Sequence, residues 1–475
     1  MILDEVFENF VAESPLVVMF RVLLEQSLSA QEVDQLFVET AQKQYQKELL
    51  FSSVVSLMSV VVCGIAKSVH SAYQSKAKRV GVSLSAVYKK LDGIEPQVCE
   101  ALVRHASAKA EELIQQLGMA RPALVEGYHT KILDGNHLSA TERRLAVLRP
   151  LGSAPLPAQA LVVLDPSLGL AIDVFACEDG HAQERSLIPQ ILATVKAKDL
   201  WIEDRNFCTL GFLFGLHVRG AFFAVRQHAN LPWMALTELT PVGESQSGQV
   251  FEQSVQLVFN GCLKIVLRRI VVQLLEPTRD GHTELAILST LPQDVSALEI
   301  AELYRQRWSI EQLFRVLEQC FEGEINTLAY PGAALFGFCM ALVCYNILAV
   351  LRAAMGNVHG PDKIEAGISS YYLTDEISRV YDGMMIAIPP QKWQPLSELA
   401  PEQTAEFLKD LAAQMDLAKY QSHPRGEKKK TSKPKHQKDK PHVSTARLLA
   451  QEREAKKRTA KAAQKHCREK LSAKS

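Results

Sequence analysis

The sequence has few features of secreted, disulfide-bonded or zinc-binding proteins. Its nine cysteines form no Cys-x-x-Cys pair and no Cys/His cluster at zinc spacing. This distribution argues for reduced thiols and against a structural metal. The N-terminal segment, Met-Ile-Leu-Asp-Glu-Val-Phe-Glu-Asn, lacks the basic start of a secretory signal. We therefore expect a cytoplasmic protein.

Long hydrophobic runs are also scarce. Residues 49–66 and 333–351 are uncharged, and each is of marginal length for a membrane span. The first run contains four serines and the second contains Asn346. A buried helix of a large protein has the same composition. We predict that both runs are core helices and that the protein has no membrane partner.

An excess of either charge is absent from the whole chain, but not from its parts. The chain has 53 basic and 53 acidic residues. Residues 424–475 contain eighteen Lys and Arg against five Asp and Glu, a net of +13, so the rest carries −13. Such a tail suits a polyanion, because neutralising phosphates releases counterions. A solvated tail that only aids solubility is the alternative.

The most informative segment is residues 304–318, which the apolar spacing predicts to be one amphipathic helix. Tyr304, Arg307 and Glu311 would then lie on one flank, beside the buried stripe. A carboxylate at the border of the core can hold a metal against a rigid frame. An ordinary surface helix with an Arg–Glu pair at i,i+4 explains the same pattern.

Two upstream segments each read as a strand that ends in an aspartate. They deliver Asp134, followed by Gly135, and Asp204, followed by Arg205. Asp165 also follows an apolar run, but its Pro-Ser sequel is typical of a hairpin turn. An intervening hairpin and helix would place Asp134 and Asp204 on neighbouring strands of one sheet.

The order of two strand-end aspartates and a helical glutamate is that of a ribonuclease H-like fold. Such folds gather three carboxylates around two divalent metals, which lie roughly 3.5–4 Å apart. Mg²⁺ requires hard oxygen ligands, and clustered carboxylates repel one another unless a cation lies between them. Asp134, Asp204 and Glu311 are therefore the candidate catalytic residues and metal ligands.

These residues resemble the DDE transposases of bacterial cut-and-paste insertion sequences, in the group with a Tyr-x2-Arg-x3-Glu-x6-Lys signature. The resemblance covers roughly residues 120–355. Tyr304, Arg307 and Glu311 match the signature, and Asp134 and Asp204 match the Asp-Gly-Thr-like and Asp-Arg-x-Phe positions. The signature lysine is replaced by Glu318, for which Arg315 is a speculative substitute.

The resemblance implies DNA transposition in the bacterial cytoplasm, in association with the nucleoid. It implies two Mg²⁺ ions, with Mn²⁺ as a substitute, and contacts from Tyr304 and Arg307 to phosphates beside the scissile bond. The expected partners are terminal inverted repeats, target DNA and a second copy of the chain. Two alternatives stay open: a metal-dependent nuclease of the same fold, and a transposase-derived DNA-binding protein that is no longer catalytic.

The helical N-terminal region contains a candidate DNA reader. Residues 76–91 combine a basic approach, a Gly81-Val-Ser turn and a short amphipathic helix, which suits a helix-turn-helix. We predict Tyr88, Lys89 and Lys90 to be exposed for DNA contact. Ordinary helical bundles show the same pattern.

More than a hundred residues separate Asp204 from Glu311, and they are rich in strand-like runs. We predict strands at residues 221–227, 255–259, 263–275 and 283–289. The resemblance implies that this region is a β-rich insertion. In hairpin-forming relatives, such an insertion presents a tryptophan that stacks on a flipped base. Trp233 is the candidate here, although a packing role is the alternative.

The expected fold is α/β: a ribonuclease H-like catalytic domain interrupted by a β-rich insertion, with a helical N-terminal domain and a helical C-terminal region. The predicted boundaries run in chain order. They are a DNA-end-binding domain at 1–120, the first part of the core at 121–205, the insertion at 206–295, the second part of the core at 296–356, helices at 357–423 and a basic, disordered tail at 424–475.

Overall fold

The computed structural model describes residues 5–138, 145–150, 154–278, 281–325, 327–423 and 442–472. These residues form a mixed α/β structure in which many helices surround one ten-stranded mixed sheet. The basic stretch 424–441 lies outside the described residues. The expectation of an α/β fold with a central sheet is confirmed.

Seven helices precede the first strand: α1 (Glu5–Glu13), α2 (Pro15–Ser27), α3 (Ala30–Thr40), α4 (Phe51–Val62), α5 (Val69–Val80), α6 (Leu84–Asp92) and α7 (Pro96–Gln116). The strands are β1 (His129–Leu138), β2 (Ala154–Leu156), β3 (Ala158–Asp165), β4 (Leu170–Cys177), β5 (Asp199–Glu203), β6 (Phe222–Arg226), β7 (Met234–Ala235), β8 (Thr240–Ser245), β9 (Gly248–Phe259), β10 (Leu263–Leu274), β11 (Glu284–Ser289) and β12 (His442–Ser444). The remaining helices are α8 (Ile188–Thr194), α9 (Leu210–Val218), α10 (Ala297–Arg305), α11 (Trp308–Cys320), α12 (Pro331–His359), α13 (Pro361–Gly367), α14 (Ser370–Ala387), α15 (Gln394–Ser397), α16 (Pro401–Ala413) and α17 (Thr445–Ser472).

The sheet has the strand order β4-β3-β1-β5-β6-β11-β10-β9-β7, and β8 also pairs with β9. β1, β5 and β6 are parallel neighbours, whereas β3 and β4 are antiparallel additions at one edge. The strands from β9 to β11 extend the other edge as antiparallel ribbons. β6 was expected to belong to the insertion. It continues the central sheet instead, because it pairs in parallel with β5 after the crossover helix α9.

Alternation along the strands gives the sheet two buried faces. Ile132 of β1 and Ile202 of β5 face a large core shared with α7 and α12. Leu133 and Trp201, one position away, face a smaller core closed by α8 and α9. Because side chains alternate with a period of two, Asp134 shares its face with Ile132 and points toward the helices of the larger core. Both faces of β1 are therefore occupied, and this fixes its register.

The long helix α12 lies at the centre of the larger core. It contacts α2, α4, α6, α7, α13 and α16, as well as strands β3 and β4. Within the described chain it is the one helix long and apolar enough to cross a bilayer, but 83% of its most apolar window is buried in the protein. The side-chain amide of Asn346 donates to and accepts from the backbone of Ala171, each at 2.9 Å. This pair of hydrogen bonds satisfies the backbone at a buried edge of β4. Both α12 and α4 are core helices, as predicted.

The candidate DNA reader forms two consecutive helices. α5 ends at Gly81, whose φ of 69° is in the left-handed region that favours glycine. Ser83 then caps α6 by accepting a hydrogen bond from the amide of Ala86. The predicted turn between two helices is therefore present.

The described part of the predicted basic tail is residues 442–472. Residues 442–444 form β12, which pairs in parallel with β2, and α17 follows directly. The helix is consistent with the Ala, Glu, Lys and Arg content of this segment, since these residues favour helix.

Candidate active site

Parallel pairing of β1 with β5 brings two aspartates together. Leu133 pairs with Glu203, the last residue of β5, so Asp134 and Asp204 are the next residues along the two adjacent segments. Asp204 follows the end of its strand as predicted, whereas Asp134 lies within β1, which continues to Leu138 in antiparallel pairing with β3. Asp134 accepts a hydrogen bond from the amide of Gly135 at 2.9 Å, and Asp204 accepts one from the amide of Arg205 at 2.6 Å. Each carboxylate is therefore held by the amide of the residue that follows it.

The glutamate comes from a helix that begins in an unexpected place. The segment predicted as one helix is two: α10, which a capping box of Ser296 and Glu299 starts, and α11, which begins at Trp308. The carbonyl of Gln306 accepts bonds from both the amide and the hydroxyl of Ser309, and this local pairing tightens the turn between the helices. Arg307 is the residue that precedes α11, and Glu311 lies in its first turn.

Despite the break, Arg307 connects the candidate residues. Its guanidinium donates to Asp134 Oδ2 at 3.1 Å and to Glu311 Oε1 at 2.8 Å. The arginine side chain is 15% exposed, against 23% for Asp134 and 34% for Glu311. One guanidinium thus bridges a carboxylate from the sheet and a carboxylate from α11.

The electrostatics of Asp134 reflect this crowding. Burial raises the pKa of Asp134 to about 6, although the neighbouring Arg307 and the amide of Gly135 act in the opposite direction. The negative charges of Asp204 and Glu184 raise the pKa further. A cation placed beside such a carboxyl group stabilises its ionised form.

Glu184 is a fourth carboxylate at this site that the sequence patterns did not indicate. It lies in the turn before α8, and Asn206 donates a hydrogen bond to its Oε2 at 3.4 Å. Burial raises the pKa of Glu184, and Asp204 adds to the effect. A Cβ at position 135 would lie 2.2 Å from Glu184 Oε1, so a larger residue there would displace the Glu184 carboxylate from its place beside Asp134. Gly135 is the one local signal for this contact.

The remaining signature residues differ in exposure. Tyr304 is 6% exposed, and burial raises the pKa of its hydroxyl, which keeps the proton and stays a donor. Arg315 and Glu318 are both exposed on α11. Glu318 lies two turns beyond Glu311 on the same flank of the helix. Glu311 is the residue of the two that accepts a hydrogen bond from Arg307.

Two tryptophans have partly exposed rings that lie near arginine side chains. Trp233 is 39% exposed, and the guanidinium of Arg269 lies 4.9 Å from the centre of its ring. Trp308 is 60% exposed and lies directly beside the site, with the guanidinium of Arg307 5.6 Å from its ring. Sequence reasoning considered Trp233 and missed Trp308, although Trp308 stands between two signature residues.

The predicted DNA contacts on α6 are not equivalent. Lys89 is exposed, and Tyr88 is half-buried. Lys90 donates to the carbonyl of Tyr45 at 3.1 Å and lies 3.9 Å above the ring of Phe37. Burial lowers the pKa of Lys90 to about 8. Lys90 is therefore used within the protein, which leaves Lys89 as the exposed cation of the pair.

The donor set fits a hard divalent metal in chemistry, since all its members are carboxylates from the sheet and α11. In the described part of the chain, no group of three or more Asp, Glu, His or Cys is arranged closely enough to hold an ion. The positive charge between Asp134 and Glu311 is that of the Arg307 guanidinium. Asp134, Asp204 and Glu311 stay the predicted metal ligands.

Comparison with known proteins supports the class that the motifs indicated. Residues 158–347 match the family model described as a transposase DDE domain. The matched segment includes Asp204 and Glu311 and begins after Asp134. No curated protein matches the chain.

A solved structure with some likeness is the cryo-EM structure of a piggyBac transposase synaptic complex with hairpin DNA. It has 10% sequence identity and a TM-score of 0.38, and the alignment covers 81% of this chain and 84% of that chain.

Proposed function

We propose that this protein is a DDE transposase that cleaves DNA at the ends of an insertion sequence and joins the freed ends to target DNA. The observation that carries the proposal is the convergence of Asp134 and Glu311 on one guanidinium, with Asp204 at the end of the adjacent strand. The match of residues 158–347 to a transposase DDE domain supports it.

The strand order supports a ribonuclease H-like core as the frame for this chemistry. In β4-β3-β1-β5-β6, an antiparallel meander is followed by two parallel strands, and the two aspartates stand where the parallel pairing of β1 with β5 ends. We assign α1–α7 to recognition of the element ends and β7–β11 to an insertion in the catalytic core. Strands β9 and β10 belong to the same sheet as the two aspartates. DNA bound by the insertion would therefore have a fixed position relative to the catalytic core.

The reaction requires two in-line displacements at phosphorus. Water first attacks the phosphodiester at the element end and releases a 3′ hydroxyl, which then attacks a phosphodiester of the target. Two Mg²⁺ ions, or Mn²⁺, would activate the attacking oxygen and stabilise the leaving one. Because phosphoryl transfer needs little covalent help from protein, the residues mainly position the reactants.

The roles of the side chains follow from their chemistry. Asp134, Asp204 and Glu311 would hold the metals. Arg307 presents a planar fork of donors that matches a phosphate, and the protonated hydroxyl of Tyr304 supplies a further donor. The expected partners are terminal inverted repeats, target DNA and a second copy of the chain, in a bacterial cytoplasm and at the nucleoid.

A cleavage and strand-transfer assay on DNA flanking the gene, with Mg²⁺, tests the proposal. Asp134→Asn, Asp204→Asn or Glu311→Gln should lower cleavage at least about a hundredfold, or about 2.7 kcal/mol in the barrier, with end binding retained. Glu318→Gln is the matched control, because it makes the same chemical change on the same helix at an exposed residue outside the proposed metal set. It should keep activity within about threefold.

The outcomes separate the candidates. Cleavage without joining would indicate a nuclease of the same fold, and binding without cleavage would indicate an inactive, transposase-derived DNA-binding protein. Cleavage by Glu311→Gln within about tenfold of the parent would overturn the assignment of Glu311. An equal loss in Glu318→Gln would move Glu318 into the catalytic set.

A further inference from the structure

The C-terminal helix is attached to the catalytic region by a short strand. β12 pairs with β2, which immediately precedes the sheet strand β3. Ser444 and Thr445, at the junction of β12 and α17, are both buried. The first turn of α17 therefore starts from a fixed point, on a two-stranded sheet next to the start of β3.

Asp179 is the centre of this attachment. Its carboxylate accepts a hydrogen bond from Nε of Arg447 at 2.7 Å and another from the side chain of Ser444. Burial acts to raise the pKa of Asp179, but these bonds outweigh it and lower the pKa below its usual value. The carboxylate stays ionised at neutral pH, so the ion pair with Arg447 is maintained.

The loop that carries Asp179 is itself rigidly placed. Gln159 of β3 donates to the carbonyls of Asp179 at 3.3 Å and Ala182 at 2.6 Å. A Cβ at Gly180 would lie 2.7 Å from Leu156 of β2, so the loop packs directly against that strand. The same loop continues to Glu184 beside the candidate active site. The start of α17 is thus one loop away from the catalytic carboxylates.

Some cations of α17 form ion pairs within the helix, and others recur along one side of it. Its two acidic residues in the described side chains are paired: Glu452 with Lys456 at 3.0 Å, and Glu454 with Arg458 at 3.7 Å. The other exposed cations are Arg453, Lys457 and Lys461. These three recur every four residues, so they form one stripe that spans about 12 Å along the helix. We call them the basic stripe.

We propose that the basic stripe binds the sugar-phosphate backbone of duplex DNA, without reading its sequence, and that the Arg447–Asp179 attachment holds this contact beside the cleaved end. The proposal deepens the proposed transposase function and rests on it for the identity of the DNA. The chain outside residues 424–475 carries a net charge of −13 and repels DNA. A stripe of cations on a helix that starts one loop from the active site would offset that repulsion.

Salt dependence of DNA binding tests the stripe. Each phosphate neutralised adds about 0.9 to the logarithmic salt slope on duplex DNA. Arg453→Gln with Lys457→Gln should make the slope shallower by about 1.8 on a random-sequence duplex, measured in EDTA. The control is Lys456→Gln with Arg458→Gln, which removes the same charge from the paired cations. It should change the slope by less than about 0.5.

The attachment needs a separate variant. Arg447→Ala should leave the salt slope on random duplex within about 0.5 of the parent, because the stripe is intact. It should abolish nuclease protection of the DNA next to the element end, because the helix is no longer held there. Circular dichroism checks that each variant keeps its helix content.

Two results would overturn the proposal. If both double variants flatten the slope equally, the stripe has no special role and the tail acts only through net charge. If Arg447→Ala keeps full protection at the element end, the attachment does not position the helix. Neither measurement requires cleavage or joining by the protein, so both stand even if those activities are never observed.

Discussion

Arg307 should be the residue whose loss most destabilises the folded protein at the candidate active site. The change Arg307→Gln removes the cation that bridges Asp134 and Glu311 and leaves two carboxylates facing each other. Breaking a fully buried pair costs about 3–5 kcal/mol. Since a third of the Glu311 side chain is exposed to water, we expect a loss of about 2–3 kcal/mol in the free energy of unfolding at pH 8.

The loss should depend on pH in a defined direction. The folded-state pKa of Asp134 is about 6, above the ordinary value for Asp. The folded protein therefore keeps this proton where the unfolded chain has released it, and stability falls as pH rises toward 6. Without Arg307 the pKa of Asp134 rises further. The difference between variant and parent should be smallest near pH 5 and should grow up to pH 8.

Urea unfolding at several pH values, in EDTA, measures this. Arg305→Gln is the control, because Arg305 pairs with Glu302 on the exposed surface of α10 and should contribute about 0–1 kcal/mol. Mg²⁺ should restore part of the loss in Arg307→Gln, by about 1.4 kcal/mol at tenfold excess over its Kd. A variant as stable as the parent at pH 8, or an equal loss at pH 5 and pH 8, would refute the bridging role.

Two further predictions concern DNA contacts. Trp308→Ala should reduce cleavage at the element end at least about tenfold, since its exposed ring lies beside the site and base stacking contributes about 1–3 kcal/mol. Trp233→Ala should have the smaller effect in the same assay, because its ring is already covered by Arg269; the reverse order would restore Trp233 as the stacking residue. Lys89→Ala should weaken end binding in a gel-shift assay without changing the melting temperature, whereas Lys90→Ala should lower the melting temperature; equal effects of both on binding would contradict the assignment.

Much of the central sheet could be predicted from the sequence because several of its strands have a short apolar run. The runs before Asp134 and Asp204 are parallel neighbours in the structure, although β1 continues past Asp134 to Leu138. The turn assigned to Asp165 is also present, since its carboxylate accepts from the amides of Ser167 and Leu168. The four strands predicted between residues 221 and 289 are all found, with shifted ends.

What could not be predicted depends on contacts that are distant in the sequence or have no local signal. No proline or glycine marks the break between α10 and α11, where the backbone bonds connect residues three apart, such as Arg307 to Tyr304 and Ile310 to Arg307. Lys89 and Lys90 are chemically identical, and only the ring of Phe37 decides which one is covered. The bridge from Arg307 to Asp134 joins residues 173 positions apart. The sequence around Glu184 has no pattern typical of a site residue. The one indication of its contact is Gly135, which lies elsewhere in the chain.

The burial of α12 has a consequence for how the chain is made. The apolar faces of α2, α4 and α7 are covered by a helix that begins at Pro331, more than two hundred residues downstream. At about 5–20 residues per second, a ribosome needs roughly 10–50 s to supply it. During that time the nascent N-terminal helices expose surface that favours aggregation or chaperone capture, and α12 itself emerges with the composition of a membrane span. The yield of folded protein should therefore depend on synthesis reaching His359.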